Sequence, residues 1–104
     1  MLIFKPGVDI RGLQPEMALG MLCLYTQLLP HSTDGKIVIT SGTDGKHKIN
    51  SLHYIGMAVD VRIWNIEQIA NVVEAIKEDL PGFDLILHST HLHMEYQPKK
   101  PLNM

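Results

Sequence analysis

Residues 83–96 read Phe-Asp-Leu-Ile-Leu-His-Ser-Thr-His-Leu-His-Met-Glu-Tyr, and this stretch predicts a β-hairpin. Apolar and polar residues largely alternate on both sides of Ser89 and Thr90, which is typical of two strands, 83–88 and 91–96, joined by a short turn. Because Ser-Thr is an unusual pair for a type I′ turn, a longer or bulged connection is the alternative. The register of the hairpin decides which side chains share a face.

A two-residue turn would place three histidines on one face of the hairpin. His88 and His91 then pair directly across the turn, and their side chains point to the same side. His93 follows two positions after His91, so strand alternation keeps it on that side. The opposite face is apolar and can pack on a helix; it carries Leu85, Leu87, Leu92 and Met94.

Another strand is predicted at residues 57–63, which read Met-Ala-Val-Asp-Val-Arg-Ile. Strand alternation puts Ala58, Asp60 and Arg62 on one side and only apolar side chains on the other. Asp60 therefore lies on a face that it shares with a small residue and an arginine. For Arg62 two interpretations stand: an ion pair with Asp60 or a helix carboxylate, and a role in function.

The remaining elements are two helices and a further strand, which predicts an α+β fold in a single domain of residues 1–104. Residues 15–29 show helical apolar periodicity, begin with a proline and stop before another. A second helix is expected after Asn65, which can cap it, and ends at a Pro-Gly pair. Residues 36–40 predict a short strand between the two helices.

Composition and charge exclude several classes of function. The net charge is −2 without a block of like charges, so nucleic-acid binding by counterion release is not expected. No run reaches the ~20 apolar residues of a membrane span. Lys5 follows a very short apolar stretch, which is the wrong order for a secretory signal peptide. We expect a chain made in the cytoplasm that stays there, or that reaches the cell wall by a route it does not itself encode.

The chemistry-bearing residues favour a zinc site. Four of the six histidines fall in two short segments that also contain an aspartate. Such a mixture favours zinc over magnesium or calcium, although copper and nickel are compatible. With His53, Asp60 and His93 as ligands, the fourth zinc position stays open for water. His91 and His88 would stand beside the metal as general base and transition-state stabiliser. The alternative is a hairpin whose histidines only form surface hydrogen bonds.

The motif Ser-x-His-x-x-Gly-x-Ala-x-Asp at residues 51–60, followed by His-x-His at 91–93, resembles the zinc D-alanyl-D-alanine peptidase family. That family includes D,D-carboxypeptidases, D,D-dipeptidases, murein endopeptidases and phage L-alanyl-D-glutamate endolysins. It shares its fold with the hedgehog signalling domain, so the resemblance implies a small antiparallel sheet with flanking helices. The resemblance extends over about residues 38–96. The zinc ligands that it implies are His53, Asp60 and His93.

The resemblance also indicates which residues would act on a substrate. Members that end in His-x-His carry a further histidine five positions before the last ligand, and His88 matches it. Other members have a glutamate or aspartate base where this chain has Thr90, so His91 or His88 would be the base here. Ser51 belongs to the motif and is assigned to substrate binding.

The arginine with which the family holds a substrate carboxylate is absent from its usual place. In the family it follows a Ser-Gly pair and an aromatic residue, whereas here residues 41–44 read Ser-Gly-Thr-Asp. Lys46, Lys48 or Arg62 could supply the positive charge, with a slight preference for a loop lysine.

The expected function is therefore zinc-dependent hydrolysis of peptide bonds that involve D-amino acids in bacterial peptidoglycan, as a phage lysis enzyme or a cytoplasmic dipeptidase. The competing expectation is a non-catalytic zinc-binding module of the same fold that binds wall fragments or a protein partner. The scissile bond, exo- versus endo-cleavage and the oligomeric state stay open at the level of sequence.

Overall fold

In the computed structural model, residues 1–43 and 56–96 are described, and they form a five-stranded sheet and two helices. The strands are β1 (Leu2–Phe4), β2 (Ile37–Ser41), β3 (Ala58–Arg62), β4 (Phe83–Leu87) and β5 (His91–Tyr96). Helix α1 spans Pro15–Leu28 and continues into a 3₁₀ turn at Leu29–His31, and α2 spans Ile69–Asp79. An α+β fold is therefore confirmed.

The sheet is mixed, with the strand order β1-β2-β3-β5-β4. All neighbouring strands are antiparallel except β1 and β2, which run parallel with Leu2 opposite Ile37. The prediction of an antiparallel sheet is wrong at this edge. Three residues are too few for alternation to reveal a strand, and β1 is defined only by its pairing with β2.

Both helices pack on the same apolar face of the sheet. The predicted start of α1 is confirmed, and its α-helical part ends at Leu28, one residue before the predicted end. Each large apolar side chain that is removed from water contributes about 1.5–3 kcal/mol to the free energy of folding. The buried residues of this core include Met17, Met21, Leu24 and Leu28 of α1, Val72, Val73 and Ile76 of α2, and Val59, Val61, Leu92 and Met94 of the sheet.

A glycine lets α1 approach the hairpin closely. A Cβ built on Gly20 would lie 2.5 Å from the ring of Phe83, which is closer than any real Cβ contact. Phe83 begins β4 and stacks at a tilt on Tyr96, the last residue of β5, with ring centroids 5.0 Å apart. Within the described ranges, no helix combines the length and apolar character needed to cross a membrane.

Asn65 is not the cap of the second helix, so this prediction is wrong. Helix α2 begins at Ile69, and the residue before it, Gln68, has a left-handed backbone with φ of 54° and makes no capping hydrogen bond. Local sequence suggested a cap because asparagine is common there. The side chain of Asn65 turns inward instead, and only 2% of the residue is exposed.

The buried Asn65 amide joins two distant loops. Its Nδ2 donates to Asp34 Oδ1 at 2.9 Å and to the backbone carbonyl of Lys36 at 2.8 Å. The Asn65 hydrogen bond is the main reason why the pKa of Asp34 falls to about 2, and Ser32 and the Lys36 amide add to the effect. Asn65 thus ties the segment after β3 to the turn that precedes β2.

We predict that Asn65→Ala lowers the free energy of unfolding by about 1–3 kcal/mol, because it removes a buried amide together with its hydrogen bonds to Asp34 and to the Lys36 carbonyl. Asn71→Ala is the matched control, since Asn71 is exposed on α2, and alanine there should be neutral or slightly stabilising. Urea denaturation of both variants measures the difference. Equal stability of the two variants would contradict the structural role of Asn65.

Candidate metal centre

The hairpin has the two-residue connection that places its histidines together. Leu87 stands opposite Leu92, and the His88 amide donates to the His91 carbonyl at 2.9 Å. The imidazole rings of His88 and His91 stack with centroids 4.6 Å apart, and the ring of His93 lies edge-on to that of His88 at 6.5 Å. The predicted grouping of three histidines on one face is confirmed.

Strand β3 adds Asp60 to the same face. In the β3–β5 ladder Asp60 stands opposite His93, and Arg62 stands opposite His91. Asp60 Oδ1 lies 2.8 Å from His93 Nδ1 and 4.0 Å from His91 Nε2. Two of the three predicted metal ligands, Asp60 and His93, are therefore in direct contact, and the imidazole of His91 lies beside them.

Glu95 is a member of this cluster that the sequence analysis missed. Its Oε1 lies 2.8 Å from His93 Nε2, so that His93 is held between two carboxylates. The side chains of Asp60, His93 and Glu95 are 14%, 16% and 17% exposed. The signal was present in the sequence, because Glu95 follows His93 by two positions and alternation keeps both on one face.

The two carboxylates determine the electrostatics of His93. The hydrogen bond to Asp60 raises the pKa of His93 above its ordinary value, partial burial opposes this, and Glu95 reinforces it. The two carboxylates thus favour a positive charge at this ring. A metal ion that binds to a ring nitrogen of His93 competes with a proton for that nitrogen.

The donor set at this face suits zinc. A carboxylate and an imidazole in contact are typical zinc ligands, and a third is needed to complete a site with one open position. Within residues 1–43 and 56–96, no group of three or more histidine, cysteine, aspartate and glutamate side chains is arranged to hold a metal. The predicted third ligand, His53, lies outside these residues, as do Ser51, Lys46 and Lys48.

Gly56, the motif residue between the predicted ligands His53 and Asp60, is required by the backbone. It has a φ of +76°, which disfavours side chains, and a Cβ there would collide with the Gly12 carbonyl. Its own carbonyl accepts a hydrogen bond from the Gln14 amide at 2.9 Å. The segment that enters β3 is thereby fastened to the start of α1.

Arg62 makes its ion pair with a loop carboxylate, not with Asp60 or with a helix carboxylate, so both predicted ion-pair partners are wrong. Its Nη2 lies 3.5 Å from Asp34 Oδ2, and its guanidinium carbon lies 4.2 Å above the centroid of the Trp64 ring. The Arg62 side chain is 23% exposed, whereas Trp64 is 73% exposed. Arg62 therefore lies at the edge of the histidine face, next to His91, and its guanidinium contacts Asp34 and Trp64.

An apolar side chain borders the cluster on the β4 side. Ile86 stands opposite His93 in the β4–β5 ladder and is 45% exposed. Because paired residues of antiparallel strands share a face, Ile86 lies beside the imidazole of His93. Asp84 stands opposite Glu95 in the same ladder.

No protein-family model matches the chain, and no curated protein matches it either. The family resemblance therefore depends on the motif at residues 51–60 and the His-x-His pair at 91–93.

Proposed function

We propose that the protein is a zinc metallopeptidase of the D-alanyl-D-alanine peptidase type, which hydrolyses D-amino-acid peptide bonds in bacterial peptidoglycan. The contact between Asp60 and His93 at 2.8 Å, with His91 and His88 grouped beside it, is the observation that carries the proposal. Asp60 comes from β3, His91 and His93 come from β5, and His88 directly follows β4. They meet on one polar face although β3 is distant from the hairpin in the sequence.

His53, Asp60 and His93 would hold the zinc ion, which when bound activates water and polarises a carbonyl. His91 is the stronger candidate for the base because its Nε2 approaches Asp60 to 4.0 Å. Its Nδ1 lies 3.0 Å from the Thr90 hydroxyl, which fixes the direction of the ring. His88 stacks on His91 and can stabilise negative charge that develops on the substrate.

Ile86 supports a substrate with small apolar side chains. It is the exposed apolar neighbour of His93 on a face that otherwise carries charged and imidazole side chains and the fully buried Ala58. An exposed isoleucine beside a hydrolytic site can contact a methyl group such as that of alanine, and each buried methylene-sized group contributes about 0.8 kcal/mol. This fits wall peptides, which are rich in alanine.

Zinc binding is the first prediction. The wild-type protein should bind one zinc ion per chain and His93→Ala should lose it, whereas His31→Ala, a histidine in the 3₁₀ turn, should keep it. Removal of zinc should also lower the melting temperature, because a ligand that binds only the folded state stabilises it. Elemental analysis and thermal melts measure both effects. Absence of stoichiometric metal from the wild type, or full zinc content in His93→Ala, would refute the site.

The role of His91 can be separated from that of the ligands. His91→Gln should keep zinc and lose about 10²–10⁴-fold in kcat/KM, which is the usual contribution of a general base. His31→Gln serves as the control for the loss of a histidine. Loss of zinc in His91→Gln would show instead that His91 is a ligand.

Arg62 is the described residue best placed to bind a substrate carboxylate, because it shares the face of His91 and does not pair with Asp60. Arg62→Gln should raise KM for a D-amino-acid peptide with a free carboxylate and leave KM for the amidated peptide unchanged. Lys77→Gln, on α2, is the charge-matched control. If wild-type protein prefers the amidated peptide, the enzyme is an endopeptidase and Arg62 does not have this role.

The proposal as a whole is tested by digesting purified peptidoglycan with zinc-loaded protein and identifying the products by mass spectrometry. Release of D-alanine or cleavage within the stem peptide supports it and identifies the scissile bond. If fully zinc-loaded protein cleaves no wall peptide, the competing function applies, a zinc-binding module without catalysis. The replacement of the usual acidic base by Thr90 is the observation that favours that alternative.

A further inference from the structure

We propose that Glu95 is a positioning residue that holds the imidazole of His93 in its metal-binding orientation. The inference rests on the proposed zinc site but not on peptidase activity. It starts from two contacts of equal length: His93 Nδ1 lies 2.8 Å from Asp60 Oδ1, and His93 Nε2 lies 2.8 Å from Glu95 Oε1.

A neutral imidazole ring cannot donate a hydrogen bond to both carboxylates. A neutral imidazole has one N–H donor and one lone pair, whereas ionised carboxylates only accept hydrogen bonds. A neutral His93 can therefore satisfy one carboxylate, and its other nitrogen needs a cation between itself and the second carboxylate. Asp60 is itself a proposed ligand, so the cation belongs on the Nδ1 side. The Nε2 proton is then donated to Glu95.

The hydrogen bond from His93 Nε2 to Glu95 is of the kind that metal-binding histidines usually make with their other ring nitrogen. Such histidines donate their other ring N–H to a carboxylate or carbonyl, which fixes the tautomer and the ring direction and raises the basicity of the ligand nitrogen. Glu95 meets the requirement because its side chain is only 17% exposed, so its hydrogen bond to His93 is partly shielded from water.

The strand opposite Glu95 leaves room for this contact. Ala58 is its cross-strand neighbour in β3 and is fully buried. Paired side chains on antiparallel strands lie about 4.5–5.5 Å apart at Cβ, so a larger residue at this position would compete with Glu95 for space. The limited space beside Glu95 therefore explains why the motif has a small residue, Ala58, between Gly56 and Asp60.

The test measures zinc affinity and not catalysis. Metal-free wild type, Glu95→Gln and Glu95→Ala are titrated with Zn²⁺ alone against a chromophoric chelator. Asp84→Asn is the matched control, because Asp84 is a carboxylate opposite Glu95 in the β4–β5 ladder. Glu95→Ala should bind zinc about 10–100-fold more weakly than wild type, Glu95→Gln should be intermediate, and Asp84→Asn should stay close to wild type.

A spectroscopic readout separates positioning from a purely structural role. In the zinc-bound wild type, NMR of the imidazole nitrogens should show His93 protonated at Nε2, and this proton should exchange faster with water in Glu95→Gln. A merely structural Glu95 would lower the melting temperature of the metal-free variants and leave both zinc affinity and the Nε2 proton unchanged, which would overturn the proposal.

Two further outcomes would also overturn it. Loss of zinc from Glu95→Gln as complete as that from His93→Ala would make Glu95 a ligand. A wild-type protein that binds no zinc would remove the proposed function together with this inference, and that result is visible before any variant is made. A wild type that binds zinc but cleaves no peptide would refute the peptidase alone and leave the role of Glu95 intact.

Discussion

The pairing of β5 with β3 on one side and with β4 on the other is the constraint on which core and site both depend. With this register, Leu92 and Met94 are fully buried under the helices, while His93 and Glu95 lie on the opposite face. A shift by one residue would exchange the two sets and expose the core as it buried the charges. The free energy of core packing therefore also fixes the geometry of the polar face.

The polar face concentrates charge where it is partly shielded from water. His93 lies between Asp60 and Glu95, and two carboxylates at this level of burial need a cation close by. Asp60 and Glu95 raise the pKa of His93, so they favour the protonated ring. Under the proposed function, a divalent ion at this face would meet the same need.

The loops around the face are fastened by a separate polar network. Asn65 holds Asp34 and the backbone of the turn before β2, and Asp34 in turn approaches Arg62 at the edge of the histidine cluster. Arg62 is thereby oriented without using the carboxylate of Asp60. Strand β3 therefore carries the negative charge of Asp60 and the positive charge of Arg62 on one face, because Asp60 contacts His93 whereas Arg62 contacts Asp34.

The sequence by itself determined the elements whose evidence is local: the hairpin of β4 and β5, the alternating faces of β3, the start of α1, and the presence of Asp60 and His93 on polar faces. The periodicity of apolar residues predicts these elements because it depends only on residues that are close together in the sequence. Only the tertiary structure decided that β3 lies beside β5, that Asn65 joins two loops and that Glu95 contacts His93. Those contacts depend on strand order and side-chain direction, which the packing of distant segments sets and a local pattern cannot encode.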